Sequence, residues 1–165
     1  MEPCYKTFVS IGNGKQYFSR LLNAVEQNIS HLPHPVLIQC GHTPFVSQQG
    51  TVVDFVNMDD FLLHVAQAEV LILHAGAGSV LNAIKAGKRP IVMPRIAKWD
   101  EVVNDHQIPL AKMLHEEGKV WMVENADQLQ TAIIKTRIEG SNVQAHHQVS
   151  RGFEIIKKKL AEVLA

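Results

Sequence analysis

Apolar positions along the chain fall into two alternating patterns. Short runs rich in Val, Ile and Leu predict six strands: Thr7-Phe-Val-Ser-Ile11, Val36-Leu-Ile-Gln-Cys40, Val52-Val-Asp-Phe-Val56, Val70-Leu-Ile-Leu73, Pro90-Ile-Val-Met93 and Val120-Trp-Met-Val123. Between them apolar residues recur at helical spacing. One such face is Tyr17, Phe18, Leu21, Leu22, Val25 and Ile29, and another is Phe61, Leu62, Val65 and Ala68. Further helices are predicted over residues 80–86, 104–117 and 129–135. Strand and helix alternating over this length predict an α/β fold: a Rossmann-like parallel sheet with right-handed crossovers and helices on both faces.

Punctuation residues mark the ends of these elements. Asn57 and Ser79 are placed to cap the helices that follow them, and Asn125 with Gln128 has the spacing of a capping box. Gly87 and Gly118 stop two helices. The pattern divides the chain into a domain over residues 1–138, a polar linker over 139–149 and an amphipathic helix over 150–165. The apolar positions of that last segment are Phe153, Ile156, Leu160, Val163 and Leu164, interleaved with Lys157, Lys158 and Lys159. Its apolar face can pack on its own sheet, dock on a partner, or lie on anionic lipid.

Composition narrows the class. At 165 residues, with 46% apolar and 19% charged residues, the chain is long enough for one domain with a real core. Sixteen basic and sixteen acidic residues cancel, so no net field draws it to nucleic acid. Nine histidines are scattered without metal-ligand spacing, so no metal is expected. Two cysteines, Cys4 and Cys40, predict no disulfide framework. With no signal-peptide pattern at the start and no apolar run near the roughly 20 residues of a membrane span, a cytoplasmic protein is expected.

Candidate chemistry centres on His74-Ala-Gly-Ala-Gly-Ser79. It turns a buried strand into a helix whose first N–H groups and dipole suit a phosphate. Gly76 and Gly78, with Ala77 between them, would let a diphosphate approach the backbone, and Ser79 adds a hydroxyl. In an open parallel sheet, ligands bind beyond the carboxyl ends of the strands. That rule brings residues 12–14, 41–43, 56–57, 74–79 and 95–107 to one rim. A dinucleotide fingerprint is missing, because Gly12-Asn-Gly14 lacks a third glycine and Cys40 stands where the ribose-binding acid belongs. A Walker loop is also missing. The remaining expectation is a nucleoside diphosphate, with Asn82 on a ribose hydroxyl and main-chain groups of Val56 and Asn57 on a base edge. Asn104-Asp-His-Gln107 offers four hydrogen-bonding side chains for sugar hydroxyls, and Asn104 with Gln107 is equally a capping pair.

Leu73-His-Ala-Gly-Ala-Gly-Ser-Val-Leu-Asn82, Pro90-Ile-Val-Met-Pro-Arg95 and Val103-Asn-Asp-His-Gln-Ile-Pro-Leu-Ala111 resemble the donor-binding half of the peptidoglycan-type glycosyltransferases. The resemblance covers about residues 7–135 and is closest to the small cytosolic subunits of split UDP-sugar transferases. Those include the eukaryotic subunit acting on dolichol-diphosphate and bacterial exopolysaccharide or capsule subunits. It implies half of a two-domain GT-B enzyme. Residues 76–79 would face the diphosphate, and Gly12, Asn13 and Gly14 would line the cleft. Asn104, Asp105, His106 and Gln107 would meet the sugar and phosphates, and Arg95 can meet a phosphate or a sugar carboxylate or pair with an acid such as Asp100. The family usually has a glutamate where this chain has Asn82, and the resemblance extends to the donor-binding half alone, so the acceptor side is expected on another chain.

The implied reaction is inverting, metal-independent transfer from a UDP-sugar (N-acetylglucosamine, galactose or glucuronate) to a lipid-linked diphosphate sugar. It calls for no cofactor, and for a membrane-anchored partner subunit that holds this chain at the membrane periphery. His106 is either a catalytic or sugar-binding group or a polar first-turn residue. The general base is unassigned, with His42, Asp100 and Glu101 as candidates. A non-catalytic UDP-sugar-binding regulator and a UDP-sugar epimerase are the alternatives.

Overall fold

The computed structural model describes residues 3–140 and Lys158. The predicted C-terminal helix and the linker beyond Gly140 lie outside them, apart from Lys158. Six strands form one parallel sheet: β1 (Thr7–Ser10), β2 (Val36–Gln39), β3 (Thr51–Val53), β4 (Val70–His74), β5 (Ile91–Met93) and β6 (Trp121–Met122). Their order across the sheet is β3-β2-β1-β4-β5-β6. Among the described residues four α-helices lie between strands, α1 (Ser19–Gln27), α2 (Met58–Gln67), α3 (Ala77–Lys85) and α4 (Gln107–Glu116), and α5 (Ala126–Glu139) follows β6. This is the Rossmann-like α/β architecture expected.

Side chains of successive strand residues point to opposite faces, and each face is covered by its own helices. Val9, Ile38, Ile72 and Ile91 face one layer, where Leu21, Leu22 and Val25 of α1 meet Leu129 and Ile133 of α5. Phe8, Leu37, Leu71 and Val92 face the other, against Phe61 and Val65 of α2, Val80 and Ile84 of α3, and Leu110 and Leu114 of α4. Phe8, Val9, Ile38, Ile72, Ile91 and Val92 are fully excluded from water. Two-sided burial explains why the strands read as nearly unbroken apolar runs.

Several boundaries differ from expectation. β3 covers Thr51–Val53, so Phe55 and Val56 belong to the loop beyond it. α4 starts at Gln107, three residues after the predicted start. Asn104 does not cap it with Gln107: its Oδ1 accepts from His106 N at 3.3 Å, and His106 occupies the cap position. Ser79 is not a cap either. The helix begins two residues earlier, with Gly76 in extended conformation at the cap position. Asn57 does cap α2, accepting from Asp60 N, and Asn125 caps α5, accepting from Gln128 N.

The chain reverses its lateral direction between β1 and β4, which are neighbours despite a separation of about 60 residues in sequence. Loops leaving their carboxyl ends diverge there and open a crevice. In register Ser10 lies beside Leu73, so the chain leaving β1 runs past His74, whose ring reaches Gly12.

Candidate functional site

A pocket of about 580 Å³ opens at this crevice. Its size is within the roughly 300–1,000 Å³ usual for small-ligand sites. Its walls come from four strand ends and the helices that follow. Gly12 and Asn13 follow β1, Val56 and Asn57 follow β3, and Gly76, Ala77, Gly78, Ser79 and Asn82 lie at the start of α3. Nine of the ten residues expected to contact the nucleotide thus lie together on its wall. Gly14 does not. It sits where an added Cβ would be 3.7 Å from the Arg95 guanidinium, away from the lining.

The start of α3 is chemically bare. Its cap residue, Gly76, offers no side-chain acceptor, and no acidic residue occupies its first turn. Val80 N is the first amide to pair with a helix carbonyl, that of Gly76 at 3.1 Å. The amides of Ala77, Gly78 and Ser79 precede it and belong to the set that a helix start leaves without intrahelical partners. α2 and α5 differ, since each has an asparagine cap and an aspartate in its first turn. Positive dipole and free donors therefore face the pocket from α3 without neutralisation.

His74 is the residue around which the crevice closes. At Gly12, where φ is +76°, a Cβ would land on the imidazole Nε2, and at Gly76 on Cε1. Both positions require a residue without a side chain because the ring occupies that volume. Burial, reinforced by the positive charge of Arg95, pushes the imidazole pKa down to about 4. The ring is therefore neutral at pH 7. Its Nδ1 is buried and has no hydrogen-bond partner.

Arg95 has an internal role in place of the expected sugar contact. It is 3% exposed, and its guanidinium donates to the carbonyls of Ile11 (2.8 Å), Gln16 (2.9 Å) and Glu101 (2.8 Å). It also lies 4.7 Å over the Phe18 ring. These bonds tie the ends of β1 and β5 together. Burial lowers its pKa, while the Glu101 carboxylate works in the opposite direction.

The cluster expected on the sugar lies outside the pocket lining. Asp105 Oδ1 accepts from Ala97 N at 2.7 Å, and Gln107 Oε1 accepts from Arg95 N at 3.1 Å. Glu101 Oε2 accepts from Ile96 N at 2.9 Å. Three successive amides after β5 are thus held by side chains from the segment that follows. Glu101 also forms a bidentate pair with Arg20, at 3.0 Å to Nε and 2.9 Å to a terminal nitrogen. It is 5% exposed, so it is not a solvated general base. Asn104 and His106 are exposed.

The pocket also contains Ser10, Gln39, Met58, Phe61 and His74, which were not among the expected contacts. Gln39 interrupts an otherwise apolar strand, and a lone amide among buried valines and leucines is the signal that could have marked it. Among the described residues no group of three or more His, Cys, Asp or Glu side chains could hold a metal ion. No helix among them is long and apolar enough to cross a membrane.

A parallel sheet in this strand order, with its pocket at the β1/β4 crevice, defines a Rossmann-like domain, and solved glycosyltransferases share this fold. The glycotransferase of kitacinnamycin aligns over 99% of this chain and 41% of its own, with TM-score 0.62 at 15% identity. The solution structure of ALG13 aligns over 92% and 94%, with TM-score 0.58 at 18% identity. Sequence goes further: the model of the glycosyltransferase family 28 C-terminal domain matches residues 8–162, and the chain belongs to this family. The mouse (Mus musculus) UDP-N-acetylglucosamine transferase subunit ALG13 is 35% identical over 78 residues, which are 47% of this chain and 6% of that protein. Its counterpart in Yarrowia lipolytica is 29% identical over 79 residues, 48% of this chain and 38% of that protein. The chain therefore matches only a minor part of the length of these relatives.

Proposed function

We propose that this domain binds the donor of a glycosyltransferase, a UDP-sugar, with its diphosphate over the start of α3. The observation that carries this reading is that bare helix start, set in a pocket wall between residues 12–13 and 56–57. The base would meet main-chain groups of Val56 and Asn57, and Asn82, one turn into α3, would reach the ribose. The transferred sugar would extend from the diphosphate toward Asn104 and His106 at the exposed start of α4. N-acetylglucosamine is the favoured sugar, because the relatives are named as UDP-N-acetylglucosamine transferase subunits.

As the bond to the sugar breaks with inversion, negative charge grows on the leaving UDP. Amides already oriented at Ala77, Gly78 and Ser79 stabilise that charge more in the transition state than in the ground state. They do so without a metal ion. The acceptor, a lipid-linked diphosphate sugar, and the base that deprotonates it would be held by a membrane-anchored partner chain. That partner would keep this one at the cytoplasmic membrane surface.

Titrating UDP into the full chain, followed by amide chemical shifts, tests the reading. Shifts concentrated on residues 12–13, 56–57 and 76–82 are expected, and they should vanish in Gly78→Asp while its circular dichroism stays that of the wild type. Binding that survives Gly78→Asp would overturn the assignment. Co-expression with the product of a neighbouring gene, followed by assay of a panel of UDP-sugars on membranes, tests the transfer itself.

A further inference from the structure

A chain of hydrogen bonds runs from the end of β1 into the end of β2 and back to the pocket wall. Ser10 and Gln39 are register partners on these strands and are 1% and 2% exposed. Ser10 Oγ lies 2.5 Å from Gln39 Oε1 and accepts from Gly12 N at 3.3 Å. Gln39 Nε2 donates to Asn13 Oδ1 at 3.2 Å and to Gly12 O at 3.4 Å. Polar groups this deep are costly unless each atom is matched, and here the network matches them.

Donor counting sets the direction of the chain. At one end the Gly12 N–H can only donate, so Ser10 Oγ accepts there and turns its own hydrogen to the Gln39 oxygen. At the other end the Gly12 carbonyl can only accept, so the Gln39 nitrogen must face it. That same nitrogen takes the Asn13 oxygen. Asn13 is exposed and lines the pocket, and Nδ2 is the polar atom it has left.

We propose that Gln39 is a positioning residue that holds Asn13 with its amide N–H groups toward the ligand. A hydrogen-bond donor at the end of β1 then faces phosphoryl oxygens from across the crevice, opposite the amides of α3. The proposal rests on the reading of the pocket as a nucleoside diphosphate site and adds a second source of donors to it. Gln39 itself need not touch the ligand; it acts through Asn13.

Reversing the amide tests this. In Gln39→Glu an ionised carboxylate can only accept, so Asn13 turns its nitrogen toward residue 39 and presents oxygen to the ligand. UDP affinity, from NMR titration of the full chain, should fall about tenfold, the loss expected for one hydrogen bond to a charged group. Uridine, which has no phosphate, should bind as it does to the wild type. On acidification the introduced carboxyl regains a proton to donate to Asn13, so UDP affinity relative to wild type should recover between pH 8 and pH 5. Asn13→Ala should lose UDP affinity at every pH, and Gln39→Glu should add little to it.

If Gln39→Glu weakens UDP and uridine alike, or shows no recovery in acid, Gln39 merely supports the fold and the proposal is overturned. Should Gln39→Glu fail to fold, the comparison of Asn13→Asp with Asn13→Ala decides. A larger UDP loss in Asn13→Asp supports the donor role, and wild-type affinity in either variant overturns it. Absence of UDP binding by the wild type would remove the donor-site reading and this proposal together, whereas every other contrary result removes this proposal alone.

Discussion

The imidazole of His74 fills the volume that a side chain at Gly76 would need, since a Cβ there would fall on its Cε1. Gly12 meets the same ring from the neighbouring strand end. Three residues at the ends of two neighbouring strands are therefore locked in one arrangement, and the first turn of α3 is held at the pocket wall.

The two glycines of the α3 loop should behave in opposite ways. Gly76→Ala forces the His74 ring to move and should weaken both folding and UDP binding. Around Gly78 nothing lies within 4 Å of an added Cβ, and the residue is helical. Gly78→Ala should raise stability by about 0.5–1 kcal/mol, because alanine loses less backbone entropy in a helix. It should still lower UDP affinity, since the methyl group would stand where the proposed pose brings the diphosphate. Thermal melts and UDP titrations of both variants check this split.

His74 should make the fold acid-sensitive. Its pKa is about 4 in the folded chain, against about 6.5 for a free imidazole, because burial and then Arg95 disfavour the charged form. Between those two values the unfolded chain binds a proton that the folded chain does not. Stability therefore falls as pH drops from about 6.5 to about 4, by at most about 1.4 kcal/mol per pH unit from this residue. Denaturant titrations at pH 7, 5.5 and 4.5 should show that slope in the wild type and a shallower one in His74→Asn.

Arg20 and Glu101 should be energetically coupled. Their side chains are 19% and 6% exposed and pair at 2.9 Å, and Glu101 also holds the Ile96 amide. Removing the carboxylate in Glu101→Ala should cost about 3 kcal/mol, because a largely buried guanidinium loses its counter-charge and keeps only the carbonyls of Pro94 and Glu124. A double-mutant cycle with Arg20→Ala should return a coupling of about 1–3 kcal/mol, read from urea denaturation.

Asn57 lines the pocket, yet its side chain is occupied by α2: Oδ1 accepts from Asp60 N and Nδ2 donates to Asp60 Oδ2, each at 2.8 Å. Asn57→Ser keeps a capping oxygen and should leave UDP affinity nearly unchanged. Asn57→Ala should lower stability by about 1 kcal/mol, the usual cost of a lost helix cap. A large affinity loss in Asn57→Ser would mean that the side chain, and not only the main chain, contacts the ligand.

The order of strands and helices, and the loops that gather at one rim, were legible in the sequence. Apolar periodicity, caps such as Asn57 and stops such as Gly87 act over a few residues, so they are written locally. The rule that places ligands at strand ends needs only that order, and it brought Gly12, Val56, Gly76 and Asn82 to one wall. What only the tertiary structure decided is how polar side chains are matched across that wall. In the sequence Arg95 reads as a group for a phosphate, a sugar carboxylate or a nearby acid, whereas in the fold it is buried on main-chain carbonyls. Its partner Ile11 is 84 positions away, and strand register alone brings them together. Ser10 and Gln39 are joined in the same way across 29 positions. Hydrogen-bond partners that distant leave no periodic trace in the chain, because their meeting depends on how strands align and not on any local spacing.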